Sequence, residues 1–245
     1  MNKEKITSEK KDLIFALVLF PGMTPLDIVG PVTLLQNQGF TIEYVWHNKQ
    51  PISTEINCLT LTPTITFDEL DAVDILCITG SHNPFPALKD IKMLKWIHKV
   101  GQRAKYITSV CNGSLFLAAV NLLDNYESST HWSCNEFLAK LGATVSNERI
   151  TIDRNRITGG GVTAGIDFGL HILSIIKSET DAKVMQLLTQ YDPQPPFQSG
   201  NPQTAEPEIV KIACDNIKTS FETETPDYLE ILKRTIERKK DFMDN

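Results

Sequence analysis

The sequence predicts an α/β protein with a doubly wound, mostly parallel sheet. Short apolar runs alternate with segments of helical spacing through residues 12–190. Such alternation favours parallel strands joined by right-handed crossovers. Residues 13–20 are continuously apolar and residues 73–79 are mostly apolar, as in strands buried on both faces of a sheet. The expected architecture is flavodoxin-like, and sheets of this kind bind ligands beyond the carboxyl ends of their strands.

The first half of the chain gives the alternation most clearly. Pro21-Gly22 ends the first expected strand, and Pro25 suits the first position of a helix over residues 25–38. β-Branched and aromatic residues favour a second strand over 40–46. We then expect irregular and strand structure over 52–67, a strand over 73–79, a helix over 87–100, a strand over 104–110 and a helix over 112–123.

The second half is expected to return to the sheet before it becomes helical. Gly142 ends a short helix expected over residues 133–141, and short strands are expected over 143–145 and 149–153. Residues 153–156 predict a turn into a further strand around 157–158. The remaining expected helices span 164–177, 208–220 and 227–244.

Three regions follow from this pattern. Residues 1–11 are polar and are expected to form a disordered tail. Residues 12–190 are expected to form the α/β domain. Residues 191–245 combine an arm rich in Pro, Gln and Ser with helices that we expect to pack on the core or on a partner. Basic residues in the last helix alternate with acids and predict a solvated face, namely Lys233, Arg234, Arg238, Lys239 and Lys240.

Composition excludes several classes of function. The net charge is -6, without a basic stripe, so nucleic acid is not an expected partner. No apolar run reaches the ~20 residues of a membrane span, and acids near the run at 13–20 favour a strand over a signal peptide. Five cysteines without a C-x-x-C pair favour a reducing, cytoplasmic location. No two histidines have metal-ligand spacing, so no metal is expected.

The strongest chemical signal is Cys111. It follows the strand expected over 104–110, and Cys111-Asn112-Gly113-Ser114 leads into an apolar helix, which is the pattern of a nucleophile elbow. The helix N-terminus is expected to lower the pKa of the thiol, and the Asn112 N–H is expected to point toward an anion formed during attack. The alternative is a small buried side chain at a strand end, as we expect for Cys77.

Gly80 and Ser81 directly follow the strand expected over 73–79. Glycine lets the backbone approach a ligand closely, and an N–H here could complete an oxyanion hole with Asn112. An ordinary loop is the alternative. His131 lies in a later loop and could reach the same site, as could His82, although each could equally be a packing or surface histidine.

Asp27 has two interpretations. Thr24-x-x-Asp27 approximates a capping box at the start of the first helix. However, the end of the first strand faces the same crevice as Cys111. A carboxylate beside a thiolate must share a proton with it, so Asp27 could serve as general acid or base. The residues alone leave both interpretations open.

The segment Gly159-Gly160-Gly161-Val162-Thr163 precedes the helix expected over 164–177. It lacks both the G-x-G-x-x-G spacing and the lysine of a phosphate-binding loop. We therefore expect close backbone packing beside the site, with Thr163 as a helix cap.

Together these segments resemble the ThiJ/PfpI superfamily, and within it the isonitrile hydratase (cyclohexyl-isocyanide hydratase) branch. The resemblance spans about residues 13–200 and rests on motifs that occur in the same order: Phe20-Pro21-Gly22-Met23-Thr24-Pro25-Leu26-Asp27, Thr79-Gly80-Ser81, Ser109-Val110-Cys111-Asn112-Gly113, Leu122-Leu123-Asp124, Thr130-His131-Trp132, Gly159-Gly160-Gly161-Val162-Thr163-Ala164-Gly165-Ile166-Asp167 and Tyr191-Asp192-Pro193-Gln194-Pro195-Pro196-Phe197.

The resemblance implies a class I glutamine amidotransferase-like fold with a C-terminal helical extension, a homodimer and no cofactor. It implies that Cys111 and Asp27 are catalytic. Asn112, Gly80, Ser81 and His131 are then expected to position substrate or stabilise an oxyanion. Asn112 departs from the family pattern, which commonly has Thr in isonitrile hydratases and His in protease-like relatives; a peptidase is therefore disfavoured.

The expected function is hydration of an isonitrile, a small-molecule substrate, to an N-substituted formamide through a thioimidate on Cys111. One alternative is a redox or electrophile sensor that uses the same cysteine. Others are a glyoxalase- or amidase-like enzyme and a non-enzymatic ligand-binding domain. Regulatory relatives carry a helix-turn-helix domain after the same core, but the residues after Asn201 are too few and too acidic for one.

Overall fold

The strands and helices below come from a computed structural model, which describes residues 12–242. The strands are β1 (Leu13–Val18), β2 (Phe40–Trp46), β3 (Ile52–Ser53), β4 (Thr60–Leu61), β5 (Ile65–Thr66), β6 (Ile75–Ile78), β7 (Tyr106–Ser109), β8 (Glu127–Ser128), β9 (Thr144–Val145), β10 (Ile150–Asp153) and β11 (Arg156–Gly159). The α-helices are α1 (Leu26–Leu35), α2 (Ile91–Gly101), α3 (Ser114–Ala119), α4 (Asn135–Lys140), α5 (Ala164–Ile176), α6 (Glu179–Leu188), α7 (Pro207–Glu224) and α8 (Tyr228–Arg238). Short 3₁₀ turns cover Ala87–Lys89, Cys111–Gly113, Trp132–Cys134 and Lys239–Phe242.

Seven strands form the central sheet in the order β10-β11-β7-β6-β1-β2-β5. All neighbouring pairs are parallel except the β10–β11 hairpin. The chain passes outward from β1 to β2 and β5, then returns to the other side of β1 for β6, β7 and β11. The doubly wound prediction is therefore confirmed. The strand order reverses between β1 and β6, and a crevice at the carboxyl ends of these strands is the usual ligand site.

The core forms because β1 and β6 carry apolar side chains on both faces. Every residue of β6 is buried, and four of the six residues of β1 are buried. Helix α5 contacts both α1 and α6, while α3 contacts both α2 and α8 in a second group. Burial of both sheet faces explains why these strands show no polar alternation.

Element boundaries differ from the sequence predictions mainly where local capping intervenes. The strand expected over 40–46 is confirmed as β2. The helix expected over 87–100 begins instead at Ile91, because the Asp90 side chain accepts a hydrogen bond from the Met93 N–H (2.9 Å) and caps α2. The helix expected over 112–123 ends at Ala119, and Asn121 takes a positive φ of 62°. Helix α6 was not expected.

The two C-terminal helices are held to the α/β domain by aromatic rings. Phe221 of α7 and Tyr228 of α8 both contact Phe85, with ring centroids 5.3 and 5.1 Å apart. Phe137 joins the same cluster. Large aromatic side chains bury much apolar surface, so this cluster fixes α7 beside the loop that follows β6.

Within residues 12–242, no helix is long and apolar enough to cross a bilayer.

The basic face predicted at the end of α8 is wrong at Lys239. This lysine is buried, and its Nζ donates to the carbonyl oxygens of Ala118 (2.8 Å) and Leu141 (2.6 Å) and to Asp124 Oδ1 (2.7 Å). The amine thus binds carbonyl groups at the C-terminal ends of α3 and α4, where the helical hydrogen-bond pattern ends. Lys239 anchors the C-terminal extension to the core, whereas its neighbour Lys240 is exposed.

Replacing Lys239 should therefore destabilise the protein. We expect Lys239→Ala to lower the free energy of unfolding by about 2–3 kcal/mol, because three buried or half-buried acceptors lose their donor. Chemical denaturation measures the change, with exposed Lys240→Ala as the matched control. Equal effects of the two substitutions would contradict the anchoring role.

Candidate functional site

Cys111 lies on the sharp turn between β7 and α3 that the sequence predicts. Its φ is 57°, in the left-handed region that few non-glycine residues occupy. The turn requires a glycine at 113, because a Cβ there would overlap the Ile78 carbonyl. Residues held in such strained backbone cluster at active sites. The thiol is presented at the carboxyl end of β7, next to the strand-order reversal between β1 and β6.

Asp27 is fully buried at the start of α1. Its Oδ2 accepts a hydrogen bond from the Gly80 N–H (2.8 Å), while Oδ1 has no hydrogen-bond partner among the described residues. The capping-box interpretation is wrong. Thr24 Oγ1 instead donates to Glu55 Oε2 (2.9 Å), and α1 has no side-chain cap. The carboxyl is therefore held by the loop after β6, with one oxygen left available.

Gly80 lies between Asp27 and Cys111. Its N–H binds the Asp27 carboxyl, and a Cβ built on it would lie 2.8 Å from Cys111 Cβ and 2.7 Å from Asn112 Oδ1. Real Cβ atoms do not approach so closely, so only glycine lets the loop and the elbow meet. The backbone of Gly80 thus brings the carboxyl and the thiol together.

Asn112 clamps the same loop. Its side-chain Oδ1 accepts from the Ser81 N–H (3.0 Å), and its Nδ2 donates to the Ser81 carbonyl (2.7 Å). The N–H groups of Gly80 and Ser81 are therefore both engaged within the protein. The oxyanion hole expected from them is not available in this arrangement. The backbone N–H of Asn112, by contrast, favours the Cys111 thiolate and acts to lower the pKa of the thiol.

Burial controls the protonation of the pair. It raises the pKa of Asp27 to about 8, helped by the nearby Glu55 and opposed by the Gly80 N–H. Burial also raises the pKa of the Cys111 thiol well above its ordinary value, and Asp27 and Cys134 push it the same way. The expected lowering of this pKa is wrong, because loss of solvation outweighs the Asn112 N–H and the six-residue helix α3. At neutral pH the thiol and most of the carboxyl population keep their protons.

A cavity of about 110 Å³ opens beside Cys111. Asp27 does not line it and lies buried, next to Gly80 and the elbow. The sequence identified four lining residues as candidates for this site, namely Ser81, Cys111, Asn112 and His131, and suggested His82 as a fifth. It missed Glu55 and Ile217. Neither carries a local signal, because Glu55 comes from an irregular segment and Ile217 comes from α7, near the C-terminal end of the chain.

His131 presents its ring to this cavity. Its Nδ1 accepts from the Ser133 N–H (3.4 Å) and lies 2.8 Å from Ser133 Oγ, and burial lowers its pKa. The ring is therefore neutral at neutral pH. Val162 of the glycine-rich turn lines the same cavity, so this turn lies beside the site, but a Cβ built on Gly161 would make only an ordinary contact with the His131 ring, at 3.6 Å. Thr163 does not cap α5 through its side chain, and that expectation is wrong.

No metal-binding cluster of three or more His, Cys, Asp or Glu occurs in the described part of the chain.

Known proteins share both this sequence and this architecture. The model of the DJ-1/PfpI family matches residues 14–175. The isonitrile hydratase of Pseudomonas putida is 36% identical over 214 residues, which cover 87% of this chain and 93% of the hydratase. The HTH-type transcriptional regulator GbdR of Pseudomonas aeruginosa is 29% identical over 135 residues, 53% of this chain and 36% of the regulator.

Two solved structures illustrate the range of similarity. A THiJ/PfpI family protein from Pseudomonas syringae superposes with a TM-score of 0.83 at 34% identity, covering 96% of this chain and 97% of that one. Toxoplasma gondii DJ-1 superposes with a TM-score of 0.64 at 13% identity, covering 74% and 100% respectively, and shares the fold alone.

The close approach at Gly80 can be tested directly. We expect Gly80→Ala to lower the free energy of unfolding by about 1–3 kcal/mol, because the new methyl group would collide with Cys111 and Asn112. Chemical denaturation measures the loss. Gly200→Ala is the control, since a Cβ there meets no atom within 4 Å. A Gly80→Ala protein as stable as the control would show that the loop and the elbow are not in contact.

Proposed function

The chain belongs to the DJ-1/PfpI family, and we propose that it is a cysteine-dependent hydratase that converts isonitriles to N-substituted formamides. The observation that carries the proposal is the placement of the Cys111 thiol and the buried Asp27 carboxyl around Gly80, beside a small cavity. The similarity to an isonitrile hydratase over most of both chains supports this choice of reaction.

The first half-reaction suits this pair of groups. The terminal carbon of an isonitrile accepts a nucleophile and a proton at the same atom. Cys111 sulfur forms the new carbon–sulfur bond, Asp27 delivers its proton to that carbon, and the carboxylate recovers the thiol proton. The product is a thioimidate, R–N=CH–S–Cys111, which contains all atoms of the isonitrile and the thiol. Covalent attachment divides the hydration into two easier steps.

Water completes the reaction. It adds to the thioimidate carbon while the protonated Asp27 gives its proton to the nitrogen and takes one from the water, which leaves a tetrahedral intermediate, R–NH–CH(OH)–S–Cys111. The carbon–sulfur bond then breaks as Asp27 gives its proton to sulfur and takes the hydroxyl proton of the intermediate. The sum is isonitrile plus water giving N-substituted formamide, with both protein groups restored. Asp27 alternates between acid and base, which requires a pKa near the working pH, and burial provides this.

The sensor alternative is less well supported. Oxidation and alkylation of cysteine proceed through the thiolate, and burial keeps Cys111 in its neutral form. The reaction proposed here begins from a neutral thiol and an adjacent acid. A glyoxalase- or amidase-like activity would use the same groups and is distinguished by a substrate screen.

All five cysteines are free. We also infer a homodimer in the cytoplasm, from the family resemblance and from this cysteine usage.

Removing the nucleophile should abolish turnover. We expect Cys111→Ala to lower kcat/KM for isonitriles at least about a thousandfold, because no thioimidate can form. Formamide production, followed by chromatography, measures it. Cys58→Ala is the matched control, because Cys58 also has a positive φ (66°) but is exposed. Residual turnover by Cys111→Ala near the wild-type level would refute covalent catalysis.

The pH dependence of kcat/KM should reflect the protonation state of Asp27. We expect kcat/KM to be highest where Asp27 carries its proton and to fall as the pH rises through about 8. Glu55→Gln should move this fall to lower pH, because the Glu55 charge helps to raise the pKa of Asp27. Steady-state rates of both proteins across the pH range measure the shift. A rate that increases through pH 8, or a profile unaffected by Glu55→Gln, would contradict the assignment of the acid.

A further inference from the structure

Helix α7 supplies one wall of the Cys111 cavity. Ile217 is half-buried and lines this cavity together with Cys111 and Ser133. The family match ends at residue 175, so this wall comes from outside the matched part of the chain. We infer that Ile217 determines the size of the substituent that the site accepts, and that the wild-type protein acts on isonitriles with short apolar substituents.

The volume of the cavity supports a limit on size. Pockets that bind drug-sized ligands measure about 300–1,000 Å³, so a space of about 110 Å³ is small and suits a short substituent. A ring-sized substituent would gain from additional space.

That space lies on the other side of Ile217. A larger groove of about 340 Å³ runs between α7 and the Trp132–Phe137 segment, and we call it the outer groove. Ile217 and Ser133 line both the outer groove and the Cys111 cavity, so they form the partition between the two. The remaining wall of the outer groove is rich in aromatic side chains: Trp132, Phe137, Phe221 and Tyr228. Hydrocarbon substituents suit such a wall.

A second space adjoins the cavity beyond His131 and Val162, and its lining combines apolar groups with polar and charged ones that include Asn147, Glu148 and Arg149. It shares Trp132 with the outer groove, but the outer groove adds Phe137, Phe221 and Tyr228. These aromatic side chains offer a hydrocarbon group more apolar contact. The outer groove is therefore the direction in which a larger substituent would extend.

Helix α7 is held firmly where Ile217 lies. Ser220 Oγ is 2.7 Å from His82 Nε2, and Asn83 Nδ2 donates to Thr225 Oγ1 (2.9 Å) just beyond the helix end. Phe221 packs on Phe85 in the same turn. Moving α7 away from the cavity would break these contacts. The helix is therefore fixed, and the side chain at position 217 sets the size limit.

The kinetic test compares two isoleucines of α7. We expect Ile217→Ala to raise the ratio of kcat/KM for cyclohexyl isonitrile to that for methyl isonitrile by about 10-fold or more, because the cavity and the outer groove become continuous. Ile212→Ala, on the same helix but 50% exposed, should leave the ratio unchanged. Should Ile217→Ala unfold, Ile217→Val carries the same test with a smaller increase. An unchanged ratio in a folded Ile217 variant overturns the inference.

A second test does not require the hydratase reaction. The kinetic test rests on the function proposed above, whereas the ratio of the Cys111 alkylation rates by two iodoacetamides depends on access to the sulfur, because both reagents react with the same thiolate fraction. We expect Ile217→Ala to raise by about 10-fold the rate of Cys111 alkylation by N-cyclohexyl iodoacetamide relative to iodoacetamide. Peptide mass spectrometry measures both rates, with exposed Cys58 as internal reference.

The two tests fail differently. An unchanged alkylation ratio overturns the role of Ile217, whatever reaction the protein catalyses. A raised alkylation ratio without any isonitrile turnover by the wild type supports the partition and overturns the proposed hydratase function.

Discussion

The hydrogen bond from the Gly80 N–H to Asp27 Oδ2 is the contact on which the site depends. It joins the loop after β6 to the first turn of α1, on the two sides of the point where the strand order reverses. Because Gly80 has no side chain, the elbow of β7 can lie directly against this bond. Three chain segments that are distant in sequence therefore place a carboxyl group and a thiol in one buried environment.

Burial then decides the chemistry of these two groups. A buried carboxyl with a single N–H partner mostly keeps its proton at neutral pH, and the buried thiol beside it keeps its own. The helix N-terminus, which the sequence suggested as the activating element, is too short and too weak to reverse this. The site is consequently suited to adding a thiol and a proton to a neutral substrate. It is less suited to the thiolate chemistry of a sensor.

The C-terminal extension gives this site its enclosure. Lys239 and the aromatic cluster around Phe85 attach α7 and α8 to the domain, and α7 in turn places Ile217 over the cavity. The polar contacts of His82 and Asn83 connect the same helix to the loop that carries Gly80. The residues that stabilise the extension and the residue that closes the cavity thus lie in adjacent helices. Residues outside the family match therefore line the cavity beside the elbow, and the size limit that we infer rests on them.

The alternation of apolar runs by itself determined the doubly wound sheet, and the strand–Cys111–helix pattern determined the elbow, because both signals are local. The ordered motifs determined the family. Only the tertiary structure decided that Asp27 binds Gly80 instead of capping its helix, that Asn112 engages the Ser81 N–H, and that burial raises the pKa of Cys111. The tertiary structure alone shows that Glu55 and Ile217 line the cavity beside Cys111. These features depend on distances and solvent exclusion between remote segments, which no local pattern encodes.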